Sequence, residues 1–319
     1  LIIAEATPVV ASGTAGPNVP GIYNDAQIAG WKLVTDAIHA KGGVAFLQLW
    51  HSGRISHSSL QPDGGVPQSA SDVPPSSGMV LGADFKPHPF ETPRPLRADE
   101  IPALVAAYGQ AARNAVAAGF DGVEIHGANG YLLEQFLQSR TNRRTDAYGG
   151  SIENRARLML EATKAAADAI GADRVGIRLS PYGRANDSGE DDPMPLYAHV
   201  IGELNKLGLA YLHLIEPRAS GAGQREVDHQ DVPSGCETVR PLWKGALITA
   251  GNFKTDTAAA AVGKGHADAI AFGRYFIANP DLPELVRRNA DFRPYDRATF
   301  YGGDARGYTY YAPLSGTAG

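Results

Sequence analysis

Seven short apolar runs, separated by polar or glycine-bearing stretches and helical periodicity, constrain this fold more than any other feature of the chain. They cover residues 1–6, 44–50, 122–126, 175–180, 211–216, 246–252 and 269–273. Little polar alternation breaks them, the pattern of strands buried on both faces of a parallel sheet. Between them, Ile101, Leu104, Val105, Tyr108, Ala112, Ala115 and Val116 recur at helical spacing, with Gly119 placed to end that helix. Ser151 reads as an N-cap with Glu153 in the first turn and Gly171 as the stop. A further helix runs from Thr255 through the alanines to Gly263. Strand and helix in alternation predict an α/β architecture.

Seven βα units fall one short of a closed (β/α)8 barrel. The reading is a single barrel domain over 1–319 whose first βα unit, on the order of 30 residues, lies outside the sequence. A seven-stranded or open sheet is the alternative. The largest break in the rhythm is 51–97, which holds eight prolines among many Ser, Gly and Asp residues. It follows a strand's C-terminal end and reads as a long loop, a lid, over the active face.

Composition narrows the function classes. An apolar fraction of 43% and a charged fraction of 20% are those of a globular protein. A net charge of −5 argues against nucleic acid or an anionic membrane as partner. No apolar run approaches the ~20 residues that span a bilayer, and the first ten residues lack the flanks of a signal peptide. The single cysteine, Cys236, allows no intrachain disulfide and has no evident His partner, so it reads as a bystander in a reducing, cytoplasmic setting. Monomer and dimer are both open.

Several strand ends carry chemistry. The last two runs end in Gly251-Asn252 and Gly273-Arg274. In barrels of this kind the last two strands and a short extra helix, here 275–278, form a recurrent phosphate site. Glycine lets the backbone approach an anion and the guanidinium grips it, although either pair alone could be only a turn and a surface charge. Gln48 and Trp50 share one strand face. A buried Gln amide needs a partner, either a heteroaromatic ring or a neighbouring strand. Arg178 lies between Ile177 and Leu179 and needs an anion, which a cofactor, Glu5 or Glu124 would supply. His126, Asn129 and Tyr131 cluster at one strand's C-terminal end. The first two can donate to a developing oxyanion, and a phenol of ordinary pKa ~10 can deliver a proton. Asp228, His229 and Asp231 read as a solvated loop and not as a metal site. Asn142, Arg143, Arg144, Thr145 and Asp146 read as fixing the long loop. No Rossmann fingerprint or P-loop is present.

The run HGANGYLLEQFLQSRTNRRTDAYGGSIENRARL, from His126, resembles the old yellow enzyme family of FMN-dependent ene reductases, especially its N-ethylmaleimide and nitroester reductase branch. EAT from Glu5, QLWHSGRISH from Gln48, GIRLSP from Gly176, AGNF from Ala250, FGRYFIANPDL from Phe272 and YDRATFYGGDARGYT from Tyr295 extend the resemblance over nearly the whole chain. It implies a TIM barrel holding FMN, with Ala6 and Gln48 at the isoalloxazine and Arg178 at its pyrimidine edge. Gly251, Asn252, Gly273 and Arg274 would hold the phosphate. His126 and Asn129 would bind the substrate oxygen, Tyr131 would protonate, and Trp50 and Tyr301 would line the cavity. The implied reaction takes a hydride from NADPH or NADH and delivers it to an α,β-unsaturated carbonyl or nitro compound. Relatives carry a Pro and a Thr against the flavin on a first strand, and an active-site aromatic nearby, that this sequence lacks. The resemblance therefore implies that this chain closes its barrel poorly and holds FMN weakly, while a longer parent is active. A phosphate-binding barrel isomerase or lyase, or a non-catalytic barrel, are the competing readings.

Overall fold

The computed structural model describes residues 1–217, 232–300 and 305–314. Tyr301, and the loop residues Asp228, His229 and Asp231, lie outside the described residues. All seven apolar runs form strands. The first, 1–6, holds only β1 (Ile2–Ile3); just past it comes β2 (Thr7–Pro8), and both pair in parallel with β3 (Ala45–Trp50). Ile3 pairs with Phe46 and Thr7 with Leu49, so four steps along one strand match three along the other. The extra residue makes a bulge, a feature common beside active sites, and Ala6 lies in it.

The stretch expected to be a plain loop holds structure of its own. β4 (Gln68–Ser69) pairs in parallel with β7 (Arg94–Pro95), and β5 (Met79–Leu81) forms an antiparallel hairpin with β6 (Pro87–Pro89). These pieces are two or three residues long, and the prolines around them hide any period-two pattern. The remaining strands are β8 (Gly122–Gly127), β9 (Val175–Leu179), β10 (Tyr211–Ile215), β11 (Leu247–Ala250) and β12 (Ala269–Ala271). They follow β3 in chain order, each parallel to its neighbour. Among the described residues β1 and β12 are the two edges of this curled sheet.

Helices cover the sheet: α1 (Asp25–His39), α2 (Ile101–Ala117), α3 (Leu132–Leu137), α4 (Ile152–Ile170), α5 (Pro193–Leu204), α6 (Gly235–Val239), α7 (Thr255–Gly263), α8 (Arg274–Ala278) and α9 (Leu282–Arg287). Their ends follow local chemistry. The Ser151 side chain accepts from the Asn154 amide to start α4, and Gly171 ends it at φ 93°. Gly119 follows α2 at φ 90°, as its position in the sequence predicts. Asn24 and Gln27 form a reciprocal capping box on α1. The Asn142–Asp146 stretch ties down the long loop as expected: Arg144 donates to the Ala70 and Leu96 carbonyls, and Ser71 accepts from the Arg143 amide.

Alternation along the strands sorts the interior into two zones. Leu47, Leu49, Val123, Ile125, Ile177, Leu212 and Leu214 belong to the large core that includes Tyr108 and Ala112 of α2, Met159 of α4 and Val200 of α5. The opposite strand face begins with a small aromatic layer of Phe46, Tyr211 and Ile248, the two rings 5.7 Å apart. Glycines on the neighbouring strands make room for it. A Cβ on Gly122 would lie 2.4 Å from both the Phe46 ring and the Arg174 carbonyl, and one on Gly176 would lie 2.3 Å from the Tyr211 ring.

A pair of identical substitutions should therefore differ in sign. Gly122→Ala forces atoms into a backbone carbonyl and is expected to cost about 1–3 kcal/mol by overpacking. Gly202→Ala, on an exposed position of α5 with open space around it, should stabilise by about 0.5–1 kcal/mol. Urea midpoints of the two variants read the difference directly, and equal shifts would contradict this packing.

Candidate active site

Above the aromatic layer the same sheet face turns polar. Gln48 on β3, Glu124 on β8 and His213 on β10 are all buried. The Gln48 amide donates to Glu124 Oε1 at 2.6 Å, and His213 Nδ1 lies 2.9 Å from Glu124 Oε2. A carboxylate oxygen accepts, so Nδ1 carries the proton. Burial alone would raise the Glu124 pKa. The His213 contact, the Arg178 guanidinium and the Gln48 amide outweigh it and hold it down at about 2. Burial first, and Arg178 with it, pushes His213 below its ordinary value, so the imidazole is neutral at pH 7 and Arg178 is the lasting counter-charge. Both sequence alternatives are thus realised at once: Gln48 bonds a neighbouring strand, and Arg178 acts on Glu124.

Two residues further along β3 and β8 are Trp50 and His126, and Arg178 of β9 is the register partner of both His126 and His213. Burial, reinforced by Arg178, lowers the His126 pKa to about 3. The ring is therefore neutral at pH 7, and its Nδ1 is a buried atom without a hydrogen-bond partner, as is Trp50 Nε1. Tyr131 caps the start of α3 and packs edge-on against both rings, with centroids 4.9 Å from Trp50 and 5.1 Å from His126. Asn129 and Gly130, between His126 and Tyr131, take left-handed backbone angles with φ 58° and 72°. Asn is among the few non-glycine residues that tolerate this region. A Cβ at Gly130 would lie 2.6 Å from the Ala185 carbonyl. The structure thus brings Trp50, His126, Asn129 and Tyr131 together at the C-terminal end of β8.

The anion candidates gather on adjacent strands. Gly251 (φ 133°) and Asn252 (φ 53°) leave β11, and Asn252 Oδ1 is buried without a hydrogen-bond partner. Gly273 caps α8 after β12, with open space where a Cβ would be. Arg274 lies over the Tyr295 ring at 5.6 Å. Lys254, over the Tyr275 ring at 4.2 Å, adds a second cation that sequence reasoning did not single out.

The root of the 51–97 segment is fixed. Arg54 is wholly buried and donates to the carbonyls of Val73, Asn186 and Asp187 at 2.9–3.0 Å. A cleft of about 370 Å³ beside the β5–β6 hairpin, lined by Ser76, Phe90, Arg184 and Asp187 among others, contains none of the predicted site residues. Cys236 is buried and its thiol is pushed up to about 11, by burial first and then by Glu216, which makes it unreactive.

FMN presents a polar heteroaromatic ring and a phosphate. The residues present fit it: orphaned ring and amide atoms at His126, Trp50 and Asn252, the half-buried Arg178 guanidinium, and a glycine cradle flanked by Arg274 and Lys254. Comparison with known proteins agrees. The family model described as NADH:flavin oxidoreductase / NADH oxidase matches residues 1–291. The 12-oxophytodienoate reductase 1 of Oryza sativa subsp. japonica is 45% identical over 317 residues, 98% of this chain and 80% of that protein. The solved structure of morphinone reductase in complex with tetrahydroNAD superposes with a TM-score of 0.91 at 46% identity, over 99% of this chain and 85% of that one. The old yellow enzyme homologue from Zymomonas mobilis gives 0.91 at 38% identity, over 98% and 86%.

Fold, donor set and similarity define the class as an FMN-dependent ene reductase built on a TIM-barrel fold. The chain belongs to the NADH:flavin oxidoreductase / NADH oxidase family, that of the old yellow enzymes, and a nicotinamide cofactor is its reductant.

The buried imidazoles set a pH dependence. His126 and His51 have folded pKa values of about 3 against 6.5 in the unfolded chain, and His213 is lowered too. Below pH 6.5 the unfolded state binds protons that the folded state refuses. Stability should then fall by about 1.4 kcal/mol per pH unit for each such group. Glu134, raised to about 7 by burial, runs the other way between pH 4.5 and 7. Urea titrations from pH 7 to 4 should show a net loss, and His126→Asn should flatten the slope. A pH-independent stability would sink this electrostatic account.

Proposed function

We propose that this chain reduces the activated C=C bond of α,β-unsaturated carbonyl or nitro compounds, with His126 and Asn129 binding the activating oxygen and Tyr131 supplying the proton. The observation that carries this reading is the packing of the Tyr131 ring against a neutral, buried His126 at the strand end. When bound, FMN would supply the hydride chemistry that links NADPH or NADH to the substrate's β-carbon, with Gln48 and Arg178 at its ring and Arg274 at its phosphate. His126 in its neutral form donates an N–H and polarises the oxygen without transferring its proton outright. Asn129 adds a second neutral donor from a backbone position fixed by its left-handed angles. Tyr131, a phenol and so protonated at neutral pH, protonates the α-carbon.

Ala6 and Gln48 would contact the flavin ring and Arg178 its pyrimidine edge. Gly251, Asn252, Gly273 and Arg274 would hold the phosphate, while Trp50 and Tyr301 would line the cavity. The 51–97 segment would be the lid of a single domain. Among the described residues no helix is long and apolar enough to cross a membrane. With only one cysteine, a buried one, a reducing cytoplasm completes the proposal. The isomerase or lyase reading wants an ionisable Lys or carboxylate base at a strand end; Glu124 is fully engaged by Gln48 and His213, and His126, Asn129 and Tyr131 suit reduction better.

Stopped-flow spectroscopy of the FMN-loaded protein tests the assignment. Tyr131→Phe should leave bleaching by NADPH within about twofold and slow reoxidation by 2-cyclohexenone about 100-fold or more, the range of a lost general acid. Unchanged reoxidation would remove Tyr131 from the mechanism. Because one site serves both substrates in turn, double-reciprocal plots should be parallel, and intersecting lines would count against it.

A further inference from the structure

We propose that Glu134 is a positioning residue whose buried carboxylate, with Ser180, holds the turn at 129–131 so that Asn129 and Tyr131 reach the substrate. The inference rests on the roles given to those two residues above. Glu134 lies on α3, three residues after Tyr131, and is completely buried. Its Oε2 accepts from the Gly130 amide at 2.5 Å, and its Oε1 accepts from Ser180 Oγ at 2.7 Å and Tyr197 Oη at 2.6 Å. Ser180 Oγ in turn accepts from the Asn129 amide at 3.0 Å. Two consecutive turn amides therefore end on one carboxylate, one directly and one through a single hydroxyl.

The remaining backbone groups of the turn follow the same rule. Asn186 Nδ2 donates to the Asn129 carbonyl at 2.9 Å, and Gln135 Nε2 donates to the Gly130 carbonyl at 2.8 Å. Every peptide group of the two left-handed residues is thus bonded to a side chain. A non-glycine residue in that region is strained by roughly 1–2 kcal/mol and persists where its surroundings over-determine it. Only an ionised carboxylate can accept three donors here with two oxygens. A Gln in its place would turn an NH2 toward a donor, and an apolar residue would leave the Gly130 amide buried without a partner.

Among the described residues no cation bonds Glu134, and its partners are an amide, a hydroxyl and a phenol. Burial pushes its pKa up to about 7, against the pull of Tyr197, Gly130 and Ser180. The groups around it are Gln135 on α3, Gln138 just past that helix, which donates to Tyr197, and Tyr197 on α5; behind Tyr197 is Glu190, itself paired with Arg155 of α4 at 2.8 Å. Below pH 7 Glu134 therefore takes up a proton that none of these neighbours needs.

The test uses the FMN-loaded protein. Glu134→Gln should be reduced by NADPH within about twofold of the parent. Its reoxidation by 2-cyclohexenone should slow at least about tenfold, with a raised KM. In the parent the reoxidation rate should fall as pH drops below 7, and in Glu134→Gln that fall should vanish. Hydrogen exchange of a peptide spanning 128–132 should quicken in the variant. Wild-type reoxidation, exchange and pH profile in Glu134→Gln would overturn the proposal. Should that variant fail to fold, Tyr197→Phe keeps the carboxylate and removes one stabilising donor. Its fall in reoxidation should move to higher pH, and an unmoved profile would overturn the proposal. Tyr131→Phe run alongside separates the two ideas: if it is also silent, the catalytic roles themselves have failed.

Discussion

One ionised carboxylate in the interior of a parallel sheet, that of Glu124, sets the terms for the rest of this molecule. A buried charge is tolerated only where donors and a counter-charge surround it. Gln48, His213 and Arg178 meet that demand from three different strands, which ties β3, β8, β9 and β10 into one register as well as one electrostatic unit. Burial, reinforced by the positive member of the set, Arg178, then keeps His126 neutral, so that it can polarise an oxygen without surrendering a proton. Stability and chemistry are consequences of the same cluster.

The architecture was largely legible before any coordinates. Each apolar run became a strand in chain order, and Ser151, Gly119 and Gly171 delimited helices where their local chemistry said they would. Runs buried on both faces leave a continuous apolar signature, and caps act within a few residues of their own position. The short pieces β4 to β7 were not legible, because two or three residues carry no periodicity and prolines interrupt them. The bulge at Ala6 was hidden for a related reason: it is defined by the partner strand's step count, which the sequence does not display.

The site was legible in part. His126, Asn129 and Tyr131 are close in sequence and converge in space, as do the glycine pairs at the ends of β11 and β12. The residues that hold them in place were harder to see. His213 had a signal, a lone imidazole in an apolar strand on the same face as Tyr211, but its partner is 89 residues away. Glu134 had less, since a carboxylate on a short helix normally reads as solvent-facing, and only the packing of α5 and the end of β9 encloses it. Supporting groups answer to tertiary neighbours, whereas the groups they support cluster along the chain.

Arg54 carries a last consequence. It fastens the 51–97 segment and the β9–α5 connection through three main-chain oxygens and no side chain of either. Such an anchorage ignores the side chain of Val73, but Asn186 and Asp187 hold left-handed angles, φ 56° and 57°, that few residues tolerate. The loop around Val73 can therefore diversify in shape and polarity while the mooring beneath stays put.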